Sequence, residues 1–300
     1  MSTLYVVATP IGNLTDMSPR AVQTLRDVKL IAAEDTRHSR RLLSHFEIRT
    51  PLISYHQHNQ ATRRSTILKA LEEGDVALIS DAGTPAISDP GADLVAAVHA
   101  VGHRVSPVPG PSALAAAVSA SGLIEGPFVS LGFLPRRSGE RHRLVARTAA
   151  FGMPVVLFES ASRVAATLSD LAEVFGDRSA VVLRELSKLH EEVRTGTLVT
   201  LRDWADDVQL LGELVIVVAG SDAVANCEQD AVDVLKTLRK AGLSASQAAR
   251  EAAVLTGRPR SELYGLAQRA EQSRSIGLEG QLSSPDEDAL QDALGDEEAP

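Results

Sequence analysis

Arg184, Glu185, Lys188 and His190 lie together just after an apolar run that reads as a strand. Titratable groups at such a position are placed for proton handling, because the strand fixes the backbone while the loop lets side chains face a ligand. Lys188 could position a hydroxyl or, with a depressed pKa, take its proton, with Glu185 as its partner. A surface ion-pair set is the competing reading for any single member. Asp35 and Asp81 also follow strand patterns and join Lys188, Glu185 and His190 as candidates for general acid–base work. Four further loops expose backbone at strand ends: Ala8–Leu14, Glu34–His38, Ser80–Gly91 and Val108–Ala113. The third packs Asp81, Gly83, Thr84, Pro85, Ser88, Asp89, Pro90 and Gly91 between an apolar strand and an apolar helix. In the fourth, Gly110 and Pro111 open a helix with Ser112 and Ala113 in its first turn, small residues that let amides approach a ligand. Such loops suit a ligand held largely by backbone.

The elements that must position these groups alternate. Strand patterns at Leu4–Thr9, Leu30–Ala33, Pro51–Tyr55, Val76–Ser80 and Arg104–Val108 are separated by helix patterns at Pro19–Asp27, Thr36–His45, Gln60–Glu72 and Gly91–Val101. Five strands with intervening helices predict a parallel α/β sheet, whose ligand loops emerge at one edge. Gly122, Gly126 and Pro127 mark a boundary, after which strands at Phe128–Phe133, Val155–Glu159, Ala180–Leu186 and Glu213–Ala219 resume. Glu191–Arg194 and Thr197–Leu201 flank Thr195-Gly196 and predict a hairpin, hence a mixed second sheet. Three helix patterns, Gln229–Ala241, Ser244–Thr256 and Pro259–Gln272, end the folded chain in a helix-turn-helix-like module, with Gly242 and Gly257 as stops. The expected divisions are 1–121, 122–221, 222–275 and an acidic tail, 276–300.

Composition excludes more than it assigns. The single cysteine, Cys227, leaves no disulfide framework and fits a reducing cytoplasm. The amino terminus lacks a basic n-region, and no apolar run reaches the roughly 18 residues of a membrane span. The net charge of −9 is concentrated: residues 281–300 hold seven acids and no base, so the remainder stands near −2. No two of the 21 glycines are separated by a single residue, and none precedes lysine. That removes the dinucleotide-binding G-x-G-x-x-G fingerprint and the P-loop. His56-x-His58 lacks a cysteine or a clear third ligand, so a cleft or surface role is expected and no metal site.

The segments Tyr5-Val-Val-Ala-Thr-Pro-Ile-Gly-Asn-Leu14, Ala33-Glu-Asp-Thr-Arg-His38, Ser80-Asp-Ala-Gly-Thr-Pro85, Ile87-Ser-Asp-Pro-Gly91, Pro109-Gly-Pro-Ser-Ala-Leu114, Gly132-Phe-Leu-Pro135 and Arg184-Glu-Leu-Ser-Lys-Leu-His-Glu-Glu192 resemble the ribosomal small subunit methyltransferase I family. That family lies within the tetrapyrrole methylase superfamily, and the resemblance runs in order from about residue 3 to 220. It implies S-adenosylmethionine (SAM) in a cleft between two α/β domains of a homodimer, and 2′-O-methylation of a cytidine in the decoding centre of 16S rRNA within the 30S subunit. By the same resemblance, Pro10, Gly83, Thr84, Ile87, Ser112 and Ala113 would line the cofactor from the first domain. Phe158, Glu159 and Leu186 would face it from the second. Relatives carry Gly-Asp-Pro where this chain has Gly83-Thr84-Pro85, which makes Asp81 the nearest replacement carboxylate.

Phosphate contacts would come from Arg37, Arg40 and Arg41 and from the Arg-rich segment holding Arg136, Arg137, Arg141 and Arg143. Aromatic residues make up only 3%, which suits a folded RNA better than a stacked single strand. Two other readings stay open on sequence: a methylase of a tetrapyrrole or other small molecule, and an assembly factor that binds SAM or rRNA without turnover.

Overall fold

Val76–Ile79 is buried at every position, as a strand covered on both faces of a parallel sheet must be. Around it the computed structural model describes residues 2–149, 151–221, 234–239, 243–256 and 258–267. The first elements are β1 (Thr3–Val7), a 3₁₀ turn (Leu14–Asp16), α1 (Pro19–Asp27), β2 (Leu30–Ala33), α2 (Thr36–His45), β3 (Leu52–Ser54), α3 (Gln60–Glu73), β4 (Val76–Ile79), α4 (Ala92–Ala100), β5 (Arg104–Val108) and α5 (Ala113–Ser121). Sequence sets their starts. The Ser18 side chain accepts from the Ala21 amide with Pro19 at the first position of α1, and Asp35 accepts from the Arg37 amide to cap α2.

The five strands form a parallel sheet in the order β3-β2-β4-β1-β5. The loops after β1 and β4 therefore leave side by side, and an isolated bridge stitches them: Thr9 donates to the Gly83 carbonyl at 2.9 Å and Gly83 to Thr9 at 3.0 Å. Apolar clusters fill both faces of the sheet, one around Leu25, Ile31 and Ile79 and the other around Leu4, Ile67 and Leu94.

The second half continues with β6 (Val129–Phe133), α6 (Ser138–Ala149), β7 (Val155–Ser160), α7 (Val164–Phe175), β8 (Ser179–Arg184), β9 (Glu192–Thr197), α8 (Leu198–Asp207) and β10 (Glu213–Val218). Its sheet runs β6-β7-β10-β8-β9, parallel only between β6 and β7, so it is mixed as expected. The expected hairpin at Thr195-Gly196 is not there. Residues Glu192–Thr197 form one unbroken edge strand against β8, and the chain then enters α8. The cause is a capping box, in which Thr197 and Thr200 satisfy each other's backbone amides, followed by Leu198, Leu201 and Ala205 on one buried face. Gly196 serves packing rather than turning: a Cβ there would lie 2.7 Å from Thr200 Oγ1.

Both sheets belong to one compact unit, Met1–Ser221, and Asp222–Pro300 forms a second. Within the second, residues 234–239, α9 (Ala245–Thr256) and residues 260–267 are helical around Leu235, Ala248, Ala252 and Leu263. Ser244 and Gln247 make the reciprocal bonds of a capping box before α9. The expected helix stops at Gly242 and Gly257 and the acidic tail fall outside the described residues.

Candidate functional site

The loops after β1, β2, β4 and β5 open onto a cavity of about 290 Å³ whose opposite wall comes from β6, β7, β8 and β10. Asp81, Thr84, Ile87, Ser112 and Ala113 line it from the first sheet, and Phe158, Glu159, Leu186, Glu185 and Lys188 from the second. Pro10 and Gly83 are not in its wall. Gly83 stands behind it, buried in the bridge to Thr9.

Backbone strain concentrates in the two cleft loops. Among the described residues, five non-glycine residues have positive φ, and four of them are Ala86 (68°), Ser88 (63°), Glu185 (50°) and Ser187 (67°). Such conformations cost energy and persist where surrounding structure over-determines them. The surroundings are visible. The Thr84 hydroxyl donates to the Pro111 carbonyl at 3.1 Å, tying the β4 loop to the β5 loop. Thr84 thus does not replace the relatives' carboxylate; it is a tie between loops. The Ser187 hydroxyl donates to Asp16 at 2.6 Å, joining the two halves across the cleft mouth.

Lys188 Nζ donates to Glu185 Oε1 at 2.8 Å and to Glu213 Oε2 at 3.0 Å. Burial alone would lower its pKa, but the bonds to these two carboxylates raise it on balance. The depressed pKa considered from sequence is therefore reversed: Lys188 is held as an ammonium. Burial pushes Glu185 upward, yet the Lys188 ammonium and the Glu213 amide pull its carboxyl below the ordinary value. Gly212 makes room for this pair, since a Cβ there would sit 2.2 Å from Glu185 Oε1, in a backbone at φ 93°. Gly212→Ala should expel the Glu185 carboxylate. A drop in turnover together with a lowered Tm is the expected result, since alanine is strained at that φ, and a wild-type rate would contradict it.

Asp35 and His190 are not brought to the cleft. Asp35 caps α2 and pairs with Arg37 on the surface; its side-chain hydrogen bond to Arg37 lowers its pKa to about 2. His190 is exposed and outside the cavity wall. Glu34 takes the place expected of Asp35. It lines the cavity together with Asp89, and Asp81 Oδ1 accepts from the Asp35 amide at 3.0 Å beside them. Burial raises Glu34, reinforced by the charges of Asp89 and Asp81. Burial also raises Asp89, with Ser80 opposing and Asp81 and Glu213 adding. Glu34, Asp89, Ile11, Phe133 and Glu213 line the cavity without having been expected among the site residues, although Asp89 stands in the Ser80–Gly91 loop. Ile11, Glu34, Asp89 and Phe133 all lie within the motifs quoted above, and Glu34 is the first residue past β2.

Glu159 is 1% exposed and fully engaged, by Thr167 at 2.7 Å, its neighbour Ser160 at 2.8 Å and Arg163 at 3.2 Å. It shapes the wall more than it offers a free carboxylate.

Of the arginines, Arg37, Arg40, Arg41, Arg136, Arg137 and Arg143 are exposed. Arg141 departs from that set. It is buried on the inner face of α6 with Val145 and Thr148, bonded to Asp170 and to the carbonyls of Pro135 and Arg136. A side chain so occupied cannot contact phosphate. Arg141→Ala should cost about 3 kcal/mol of stability, because it strands Asp170. Arg136→Ala with Arg143→Ala should leave Tm unchanged and weaken RNA binding with a smaller salt slope. Denaturant unfolding and filter binding separate the two.

Two α/β halves, one parallel and one mixed, with a polar cleft between their strand ends, define the methylase fold of corrin and porphyrin biosynthesis. A cobalt precorrin-4 methyltransferase shares it at TM-score 0.54 and 16% identity, covering 72% of this chain and 94% of that one. A uroporphyrin III C-methyltransferase from Thermus thermophilus does so at 0.52 and 16%, over 73% and 97%. The family model of the Tetrapyrrole (Corrin/Porphyrin) Methylases matches residues 3–202, and that of the RsmI C-terminal HTH domain matches residues 225–271. Proteins named Ribosomal RNA small subunit methyltransferase I match over nearly the whole chain. The one from Synechocystis is 47% identical, covering 89% of this chain and 98% of its own length. That from Pseudomonas aeruginosa is 46% identical (87% and 95%), and that from Bacillus subtilis 39% (88% and 93%). The chain belongs to the ribosomal RNA small subunit methyltransferase I family of the tetrapyrrole methylases.

Proposed function

We propose that this protein is a SAM-dependent methyltransferase of small-subunit ribosomal RNA that modifies the ribose 2′-oxygen of a cytidine in the decoding centre. The supporting observation is the cleft itself: six carboxylates, of which only Glu159 is buried in its own network, apolar side chains, and one clamped ammonium, in a chain nearly half identical to relatives of that name. Small-molecule methylases share the fold, but the chain is far less similar to them in sequence.

The donor set fits SAM. Glu34, Asp81, Asp89, Glu185 and Glu213 give the wall a negative potential suited to a sulfonium and an ammonium. Ile11, Ile87, Phe133 and Phe158 supply apolar surface for a purine. The amides opening α5 point a partial positive charge at the same space, suited to a carboxylate. Bound there, SAM supplies an activated methyl group. The residues of the chain then have to align the acceptor oxygen, which is worth roughly 7–11 kcal/mol, and manage its proton. The Lys188 ammonium can hold the hydroxyl oxygen, and the Glu185 carboxylate can take the proton. A lowered pKa does not disqualify Glu185, because the hydroxyl proton becomes strongly acidic as its oxygen forms a third bond, to the methyl carbon that is leaving the sulfonium sulfur. The exposed arginines of α2 and α6 suit the phosphates of a folded RNA, namely the 30S subunit.

A pH dependence follows. Ionised Glu34 and Asp89 favour a cation, and their pKa values are raised, so protonation begins at higher pH than for ordinary carboxyls. SAM affinity by calorimetry should therefore weaken on going from pH 7 to pH 5, above the usual carboxylate range of about 4. Glu34→Gln should flatten that dependence; an affinity flat across the same range in the wild type would contradict the assignment. A homodimer acting in the cytoplasm completes the reading, and sedimentation at micromolar concentration tests the dimer. Among the described residues no helix is long and apolar enough to cross a membrane. Digestion of the modified RNA to nucleosides tests the reaction: 2′-O-methylcytidine is expected, and a base-methylated nucleoside would overturn it.

A further inference from the structure

A second cavity, of about 580 Å³, adjoins the cleft and shares Glu34, Ser88 and Asp89 with it. Its other walls are His56, Gln57, His58 and Gln60, between β3 and the start of α3, and the backbone opening α4. No branched aliphatic side chain lines it, in contrast to the first cavity. Two of the three buried polar atoms without a partner among the described residues belong to its lining residues, Nδ1 of His56 and Oδ1 of Asp93. Asn59 accepts from the His56 amide through Oδ1 and presents Nδ2 to His56 Nε2 at 3.1 Å. The neutral ring therefore carries its proton on Nδ1, and this donor is the one left unsatisfied.

The walls discriminate among occupants. A phosphate would meet the carboxylates of Glu34, Asp89 and Asp93 and is disfavoured. A bulky aliphatic group would find only Pro90 and Ala92 to pack on. An uncharged flat ring with hydrogen-bonding edges suits imidazole, carboxamide and carboxyl groups, and a nucleobase is such a ring. Exposed Arg37, Arg63 and Arg64, in the first two turns of the bordering helices α2 and α3, can hold its phosphates outside. We infer that this cavity receives the base of the target nucleotide, turned out of the RNA, and that Glu34 reads its exocyclic amino group. Carboxylates accept from the amino group of cytosine, whereas uracil presents a carbonyl at that position. A base in this cavity leaves its ribose at the shared wall, facing the cleft. The inference deepens the rRNA-methyltransferase reading and rests on it.

The experiment uses 30S subunits reconstituted with cytidine or uridine at the position that the wild type methylates. The wild type should prefer cytidine in kcat/KM by roughly tenfold to a hundredfold, the usual worth of such an edge contact. Glu34→Gln, whose amide can donate or accept, should shrink that preference below about threefold. His58→Ala and Gln57→Ala, both at exposed positions, should raise KM for 30S several-fold with the SAM Kd unchanged. An undiminished cytidine preference in Glu34→Gln, or wild-type KM in both exposed variants, overturns the inference. Loss of SAM binding in the His58 and Gln57 variants also overturns it, by giving the cavity to the cofactor. Failure of the wild type to methylate either subunit would instead refute the methyltransferase reading on which it stands.

Discussion

Lys188→Met should slow single-turnover methylation of 30S subunits by about 10²–10⁴-fold, the range typical of a lost group that manages a proton transfer. The SAM Kd should change little. The geometry explains the asymmetry. Lys188 Nζ is fixed by two carboxylates at 2.8 and 3.0 Å and remains protonated, so its contribution is a directed positive charge rather than basicity. That ammonium orients the acceptor oxygen and favours loss of its proton to Glu185, which matters during the reaction and little while SAM merely sits in an acid-lined cleft. Lys188→Arg keeps the charge but not the compact, single-point geometry, and should recover only part of the rate. Glu185→Gln should also slow the reaction, and the double variant should cost less than the product of the singles, because the two groups act as a pair. A rate within threefold of wild type in Lys188→Met would remove the ammonium from the chemistry altogether.

Glu159→Ala should be among the most destabilising single changes in this protein, at about 3–5 kcal/mol, the cost of breaking a buried ion pair from one side. The carboxylate is 1% exposed, and its loss leaves both the Arg163 guanidinium and the Thr167 hydroxyl without it. Arg163 also donates to the Leu134 carbonyl at 3.1 Å, so the damage extends to the end of β6 and to the wall carrying Phe133. For a unit of about 200 residues, each kcal/mol moves Tm by roughly 2–4 °C, so a fall of about 6–20 °C is expected. Glu159→Gln keeps two of the bonds and should cost less. A Tm within 2 °C of wild type for Glu159→Ala would show that the network contributes nothing to the fold.

Most of this architecture was legible because local signals agreed with global ones. Ser18-Pro19 announces a helix that begins where Ser18 caps it, and the apolar run at Val76 is a fully buried strand. What stayed hidden depended on which way a side chain faces. Glu34 and Asp35 are adjacent acids, and only the end of β2 decides that Glu34 enters the cavity while Asp35 is used as a cap. Among the α6 arginines, Arg141 differs by helical phase: it shares its face with Val145 and Thr148. That periodicity was available in the sequence and outweighs its charge. Thr195-Gly196 looked like a turn because glycine usually marks one, whereas its missing side chain here admits Thr200. The Lys188 pKa was not readable at all, since Glu213 lies 25 residues away in sequence and reaches it only through the pairing of β10 with β8.

In this protein an acid-lined cleft of tetrapyrrole methylase type serves a ribosomal RNA. One measurement tests it most directly: transfer of a tritiated methyl group from SAM, offered unmethylated 30S subunits, protein-free 16S rRNA and a porphyrinogen in parallel. Label on 16S rRNA in 30S subunits, retained as a single 2′-O-methylated cytidine and absent from the porphyrinogen, is the predicted result. Label on the porphyrinogen alone, or on none of the three while SAM still binds, would contradict the account.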